Sequence, residues 1–219
     1  MSNLNWSAIN TVFLDMDGTL LDLHFDNHFW LHYVPKCYAE KHQMPFQDAH
    51  DLLMAKYKTI EGTINWYCID HWTEELGLDI MLLKREVAHL IKLHPFVIEF
   101  LTWLKLQGKQ RVLVTNAHQK SLSLKLQKTP LANHLDTVIS AHELSLPKEE
   151  TDFWTKLQSI YAYSPEQTLL IDDNLSVLNS ARNYGIENLL AIYKPDSQLG
   201  IKEVKGFKAI NSFKEIMIS

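Results

Sequence analysis

Two hydrophobic rhythms run along the chain. Thr11-Val12-Phe13-Leu14 is a short β-branched and aromatic run, followed at once by Asp15-Met16-Asp17-Gly18-Thr19, where polar residues and a glycine end it. This pattern predicts a buried strand with two aspartates at its carboxyl end. From about Phe25 to His94 strand runs are poor, and aromatic residues recur at spacings of three and four, as in Phe29, Trp30 and Tyr33 and again in Trp66, Tyr67 and Trp72. Such spacing lines one face of a helix, so roughly 70 residues read as a helical block. After Pro95 the rhythm changes. A helix is expected near 96–107, ending at Gly108, and Arg111–Thr115 reads as a buried strand. Helices at 119–128, 151–162 and 175–184 then alternate with strands at 137–139, 168–171 and 188–192, with a last helix expected near the C-terminus.

Strict alternation of strand and helix requires crossover connections, and therefore a mostly parallel sheet covered by helices on both faces. The helical block becomes an insertion between the first strand and the rest. The expected division is a core at 1–22 and 95–219 with an inserted helical unit at 23–94.

Composition narrows the partners. The chain has 219 residues, 46% hydrophobic, with 21 Lys+Arg against 26 Asp+Glu for a net charge of −5. There is no basic surplus or basic block to neutralise a phosphate backbone, so no nucleic acid polymer is expected. No apolar stretch approaches the ~18 residues of a membrane span, and the N-terminus lacks a basic region followed by an apolar one. Cys37 and Cys68 have neither CxxC nor Cys/His ligand spacing, which favours free thiols in a reducing compartment, the cytoplasm. No pattern in the sequence speaks to oligomeric state.

In open parallel sheets ligands bind beyond the carboxyl ends of the strands. There the chain places Asp15 and Asp17, then Thr115 and Asn116, then Lys148 in the loop before the 151–162 helix, then Asp172 and Asp173. Converging carboxylates repel unless a cation lies among them, and an oxygen-rich set with room for phosphate suits Mg²⁺. Lys148 would offset remaining negative charge. The Thr115 hydroxyl and backbone N–H groups beside Asn116 and Gly18 would donate to phosphate oxygens.

Asp15-Met16-Asp17-Gly18-Thr19-Leu20-Leu21-Asp22 resembles the DxDGTxxD nucleophile motif of the haloacid dehalogenase-like hydrolase superfamily. The Val114-Thr115-Asn116, Pro147-Lys148 and Ile171-Asp172-Asp173 stations resemble its other three motifs in the expected order, so the resemblance spans nearly the whole chain. It implies an α/β fold with a doubly wound, Rossmann-like core and a helical cap inserted after the first strand. Within the superfamily, Phe25–Trp30, Asn65–Trp72 and Pro147-Lys148-Glu149 resemble the bacterial GMP/IMP nucleotidases. One departure stands out: proline precedes the lysine here, whereas the superfamily commonly has Gly-Lys-Pro.

The chemistry implied by the resemblance is phosphomonoester hydrolysis through an aspartyl phosphate. Asp15 would attack phosphorus, and Asp17 would protonate the leaving alkoxide and then activate water. Mg²⁺ would be held by Asp15, the backbone carbonyl of Asp17, Asp173, and Asp172 directly or through water. Gly18, Thr115, Asn116 and Lys148 would hold the phosphoryl group. The implied substrate is a small phosphomonoester, a purine mononucleotide such as IMP or GMP.

Plainer readings stand beside these roles. Asp22 reads chiefly as a cap for the first inserted helix. His24, His28 and His32 share a helical face, but no cysteine or fourth ligand joins them, which disfavours zinc. Helical aromatic stripes are mostly core. A base still needs a wall from the insertion, which carries three of the six tryptophans, and His24, Asn27, Trp30, Asn65 and Trp66 are the candidates to contact base or ribose. The alternatives are a phosphatase of phosphoglycolate or a sugar phosphate, a metal-free dehalogenase, which Asp17 argues against, and a nonenzymatic phosphate sensor.

Overall fold

The computed structural model describes residues 4–217; the extreme ends of the expected core, 1–3 and 218–219, lie outside the described residues. Six parallel strands form one sheet: β1 (Thr11–Leu14), β2 (Gln110–Thr115), β3 (Thr137–Ser140), β4 (Thr168–Asp172), β5 (Asn188–Ile192) and β6 (Lys208–Ile210). Their order is β3-β2-β1-β4-β5-β6. The chain therefore reverses its direction of travel across the sheet between β1 and β4, which leaves a crevice at their carboxyl ends.

Side-chain alternation explains why the central strands are apolar throughout. Val12 and Leu14 of β1, Leu113 of β2 and Leu169 and Ile171 of β4 enter one core cluster, while Phe13, Val112, Val114 and Leu170 enter the other. The first cluster takes Phe100, Leu101 and Leu104 of a helix at Val97–Leu106 and Leu122 and Leu124 of a helix at Gln119–Lys128. The second takes Phe153, Trp154 and Leu157 of a helix at Thr151–Ile160 and Val177, Leu178 and Ala181 of a helix at Leu175–Tyr184. The doubly wound α/β architecture is as expected.

The C-terminal expectation needs correction. β6 carries no strand signature in the sequence, because this edge strand buries only Ile210 fully. The expected last helix is a single tight turn, Phe213–Ile216. Its two apolar residues already seat within that turn: Phe213 stacks on Phe100 at 4.9 Å, and Trp6 Nε1 donates to the Ile216 carbonyl at 3.0 Å.

Between β1 and β2 the chain is helical, as the aromatic spacing predicts. In chain order the helices are α1 (His24–His28), α2 (Val34–His42), α3 (Phe46–Ile60), α4 (Ile69–Leu76) and α5 (Ile80–Glu86); α6 (Val97–Leu106), α7 (Gln119–Lys128), α8 (Thr151–Ile160) and α9 (Leu175–Tyr184) follow in the sheet-bearing part. A wide π turn at Phe29–Tyr33 joins α1 to α2. It precedes Pro35, which has no N–H to close a regular turn. The two passes linking the inserted helices to the sheet run side by side: Asp22 N donates to Lys92 O and His94 N to Leu20 O, each at 2.9 Å.

Candidate active site

Asp15 follows β1, Thr115 ends β2, Asp172 ends β4, and Lys148 arrives from the loop after β3. Lys148 is 1% exposed, and its Nζ donates to Asp15 Oδ1 at 2.6 Å, Asp172 Oδ2 at 2.7 Å and the Val114 carbonyl at 3.0 Å. The Pro-Lys order therefore does not keep this ammonium from reaching both strand ends. Its backbone N–H also donates to Asn116 Oδ1 at 2.9 Å. Burial works against the ammonium, but Asp15 and Asp172 outweigh it and hold the Lys148 pKa above the ordinary lysine range.

Asp15, Asp172 and Asp173 each bring a carboxylate oxygen within 4.8 Å of the others. Burial pushes the Asp15 carboxyl up to about 6 against the pull of Lys148. Asp172 rises for the same reason, and Asp173 rises well above the usual range through burial and the negative neighbours Asp15 and Asp172. Asp15 Oδ2 is buried without a hydrogen-bond partner. An all-oxygen cluster, two of its acids buried and Asp173 half-buried, with one unpartnered oxygen and excess negative charge fits a hard divalent cation. Gly18 makes room for it: its φ is +87°, and a Cβ there would stand 2.7 Å from Asp173 Cγ. Thr19 Oγ1 accepts from Asp173 N at 3.1 Å, fixing the start of that loop.

Asp17 faces another charge group. Lys125 Nζ lies 2.7 Å from both Asp17 Oδ1 and Asp26 Oδ2, and Lys84 Nζ donates to Asp26 Oδ1 at 2.8 Å. Lys84 and Lys125 are 2% and 1% exposed, and Lys84 also lies over the rings of Phe25, Phe29 and Trp30. Burial raises Asp17 to about 6, with Lys125 opposing and Asp26 and Asp15 adding to the rise. Burial opposes ionisation of Asp26 too, but Lys125 and Lys84 outweigh it and bring that carboxyl to about 2.

These groups line a cavity of about 460 Å³ between the strand ends and the inserted helices. Thr115 and Asn116 line it; the Thr115 hydroxyl also accepts from Ala117 N at 3.0 Å, and Asn116 Nδ2 donates to Glu149 Oε2 at 2.9 Å. Of the residues expected to face a base, Asn27, Trp30 and Trp66 line the cavity, and Asn27 donates to Asp196 Oδ2 at 2.7 Å. His24 and Asn65 are not among the lining residues: the His24 ring lies 3.7 Å from Asp196, and Asn65 is exposed. The rings of His24, His28 and His32 are spaced 6.0 Å apart in succession and do not gather their nitrogens at one point. Asp22 accepts from His24 N at 3.0 Å and Ser197 N at 2.9 Å, a structural joint at the start of α1.

Other residues at the site carry no catalytic motif, and Trp72 belongs to an aromatic stripe whose spacing reads as core. Tyr57 and Trp72 join Trp30 and Trp66 in edge-to-face and tilted contacts with centroids 4.9 to 6.1 Å apart, and the buried Tyr57 hydroxyl has no partner. Glu149 gathers Asn116, Asn174 and the Tyr67 hydroxyl, the last at 2.5 Å. Glu149 does not itself line the cavity, and the sequence marks it only as part of the Pro147-Lys148-Glu149 segment that resembles the GMP/IMP nucleotidases. Lys84 and Lys125 offered no signal, since lysines on helices normally face water.

A strand-order switch point carrying a buried lysine between two aspartates, with a third acid alongside, defines a class of α/β hydrolases. The haloacid dehalogenase-like hydrolase profile matches residues 12–191, and the chain belongs to that family. It is an enzyme, a phosphatase-type hydrolase. Over 217 residues it is 39% identical to the GMP/IMP nucleotidase YrfG of Escherichia coli (strain K12), covering 99% of this chain and 98% of that one. It is 24% identical to the pyrophosphatase PpaX of Bacillus cereus (strain G9842), covering 87% and 92%. A HAD phosphatase structure from Thermococcus onnurineus shares the fold with a TM-score of 0.78 at 20% identity, over 95% of each chain. The L-2-haloacid dehalogenase of Xanthobacter autotrophicus, with chloropropionic acid covalently bound, shares it at 0.64 and 13%, over 95% and 97%. Among the described residues no helix is long and apolar enough to cross a membrane.

Proposed function

We propose that the protein is a Mg²⁺-dependent 5′-nucleotidase that dephosphorylates IMP and GMP through an aspartyl phosphate, with segment 23–94 serving as a cap over a core formed by 1–22 and 95–219. The observation that carries this reading is one cavity with a charged end, Asp15, Lys148 and Asp172, and an aromatic wall, Trp30, Tyr57 and Trp66. Similarity to a GMP/IMP nucleotidase along nearly the whole chain supports the purine assignment.

Asp15 is the nucleophile. Lys148 holds its Oδ1, leaving the unpartnered Oδ2 to form the bond to phosphorus as the ester P–O bond breaks. Asp17, raised to about 6, delivers its proton to the departing ribose 5′-oxygen. In the second half, water attacks the phosphorus of the aspartyl phosphate, Asp17 takes the water proton, and inorganic phosphate leaves as Asp15 is restored. Lys148, the Thr115 hydroxyl, the Asn116 amide and the backbone at Gly18 orient the phosphoryl oxygens. Asp15, Asp172, Asp173 and the Asp17 carbonyl would hold Mg²⁺, which when bound supplies positive charge against the phosphate. The aromatic wall takes the base and excludes water from the charged end.

The test is a phosphomonoester panel with Mg²⁺, covering IMP, GMP, AMP, phosphoglycolate and a sugar phosphate. IMP and GMP are expected to give the highest kcat/KM, and Asp15→Asn to lower kcat by at least about 10³-fold. Preference for phosphoglycolate or the sugar phosphate would overturn the substrate, and full activity in Asp15→Asn the mechanism.

A further inference from the structure

A second cluster of metal-ligating groups stands apart from the acidic one. Cys68, His118 and His142 each offer a donor atom, and the three donors lie within 4.8 Å of one another. They come from three places that the fold brings together: Cys68 caps α4 in the inserted segment, His118 caps α7 after β2, and His142 lies in the turn Ala141–Glu143 after β3. The loops involved flank the cavity, since Tyr67, next to Cys68, and His118 itself are lining residues.

Each donor is free for a metal or held only weakly. His142 Nε2 is buried with no hydrogen-bond partner. His118 Nδ1 accepts one long hydrogen bond, from Lys120 N at 3.3 Å, its Nε2 lies 3.7 Å from Asp70 Oδ2, and Cys68 Sγ accepts from His71 N at 3.5 Å. The two imidazoles meet edge to face, with centroids 4.9 Å apart. Burial lowers both histidine pKa values, helped at His142 by His118 and at His118 by Lys120 and opposed at both by Asp70 and at His142 by the backbone of Tyr67 and Asn116, so the neutral, ligating form prevails at neutral pH. Zn–N bonds of about 2.0–2.1 Å and Zn–S bonds of about 2.3 Å require donors roughly 3.3–3.7 Å apart in a tetrahedron. Closing a separation of up to 4.8 Å to that range takes about 1 Å, within the reach of side-chain rotation.

We propose that Cys68, His118 and His142 form a site for a zinc-class transition metal that ties the inserted helical segment to the sheet beside the active-site cavity. Sulfur with two imidazoles selects a borderline-soft ion and disfavours Mg²⁺, whereas the three aspartates do the reverse. Binding converts the Cys68 thiol to a metal thiolate and releases its proton to solvent. Water completes the fourth position, and Asp70, which is paired with Lys120, is the carboxylate beside the site, 3.7 Å from His118 Nε2.

Cobalt(II) is the probe, added to the reduced full-length protein after chelator treatment, in 5 mM Mg²⁺ and without substrate, so the result is independent of the proposed nucleotidase activity. A thiolate-to-cobalt charge-transfer band saturating at one equivalent and bleached by Zn²⁺ is expected. Cys68→Ser is expected to abolish the band and His142→Gln to weaken binding at least tenfold, whereas Cys37→Ser and Asp173→Asn keep it. No band in the wild-type protein would overturn the site, as would an undiminished band in Cys68→Ser or one lost in Cys37→Ser. The wild-type and Cys37→Ser spectra decide the matter even if the ligand variants unfold.

Discussion

Trp66 and Trp30 show how one residue type serves two purposes. Each packs against Tyr57 and Trp72, and each presents a face to the cavity. Alanine at either position removes an aromatic wall that a purine base would use and a compact substrate would not. Steady-state kinetics should show KM for IMP rising about tenfold or more, with KM for p-nitrophenyl phosphate changed less than about threefold. His24→Ala and Asn65→Ala, which lie off the cavity, should leave both within about threefold. An equal rise for both substrates in the tryptophan variants would assign these residues to packing alone. The acidic and lysine stations were legible because each closes an apolar run or sits in a short loop of an alternating chain. Tyr57 and Glu149 were not, since a tyrosine in a helix and an acid before a helix have ordinary structural uses.

At the scale of elements, α1, α5 and α7 meet through Asp26, Lys84 and Lys125. Removing the Asp26 charge leaves Lys84 buried without its anion, and Asp26→Asn should cost about 3–5 kcal/mol in urea unfolding at neutral pH. The Asp26 carboxyl sits at about 2 against an ordinary 3.8, a gap corresponding to about 2 kcal/mol. A depressed carboxylate contributes its full stabilisation above the unfolded value and loses it as pH falls through the folded one. The stability gap between wild type and Asp26→Asn should therefore hold steady from about pH 5 to 7 and narrow below about pH 4. A gap insensitive to acid would mean that packing, and not charge, holds these helices. The central strands were legible because both faces are buried, which makes them continuously apolar. β6 was not, because an edge strand with one fully buried residue has no such pattern.

Across the whole molecule, the acids at the strand ends share one consequence of burial. Asp15 and Asp17 are raised to about 6, and Asp172 and Asp173 rise as well. A raised carboxyl binds more protons in the folded state than in the unfolded one, so stability is lost as pH rises from the unfolded value through the folded one. The metal-free protein should melt a few degrees higher at pH 5.5 than at pH 7.5, and Mg²⁺ should stabilise it more at pH 7.5, where the acids are ionised. Differential scanning calorimetry at both pH values, with Mg²⁺ and with EDTA, reads this directly. No change with either variable would mean that these groups do not bind the cation. By itself the sequence determined the alternating α/β order, the helical insertion and the strand-end acids, because periodicity and turn chemistry are local. Only the tertiary structure decided that Lys148 bridges Asp15 and Asp172, that Lys125 faces both Asp17 and Asp26, and that Cys68 meets two histidines 50 and 74 positions away. The first meeting depends on the strand order that sets β1 beside β4 and the other two on how the inserted helices rest on the sheet, and spacing along the chain carries no trace of either.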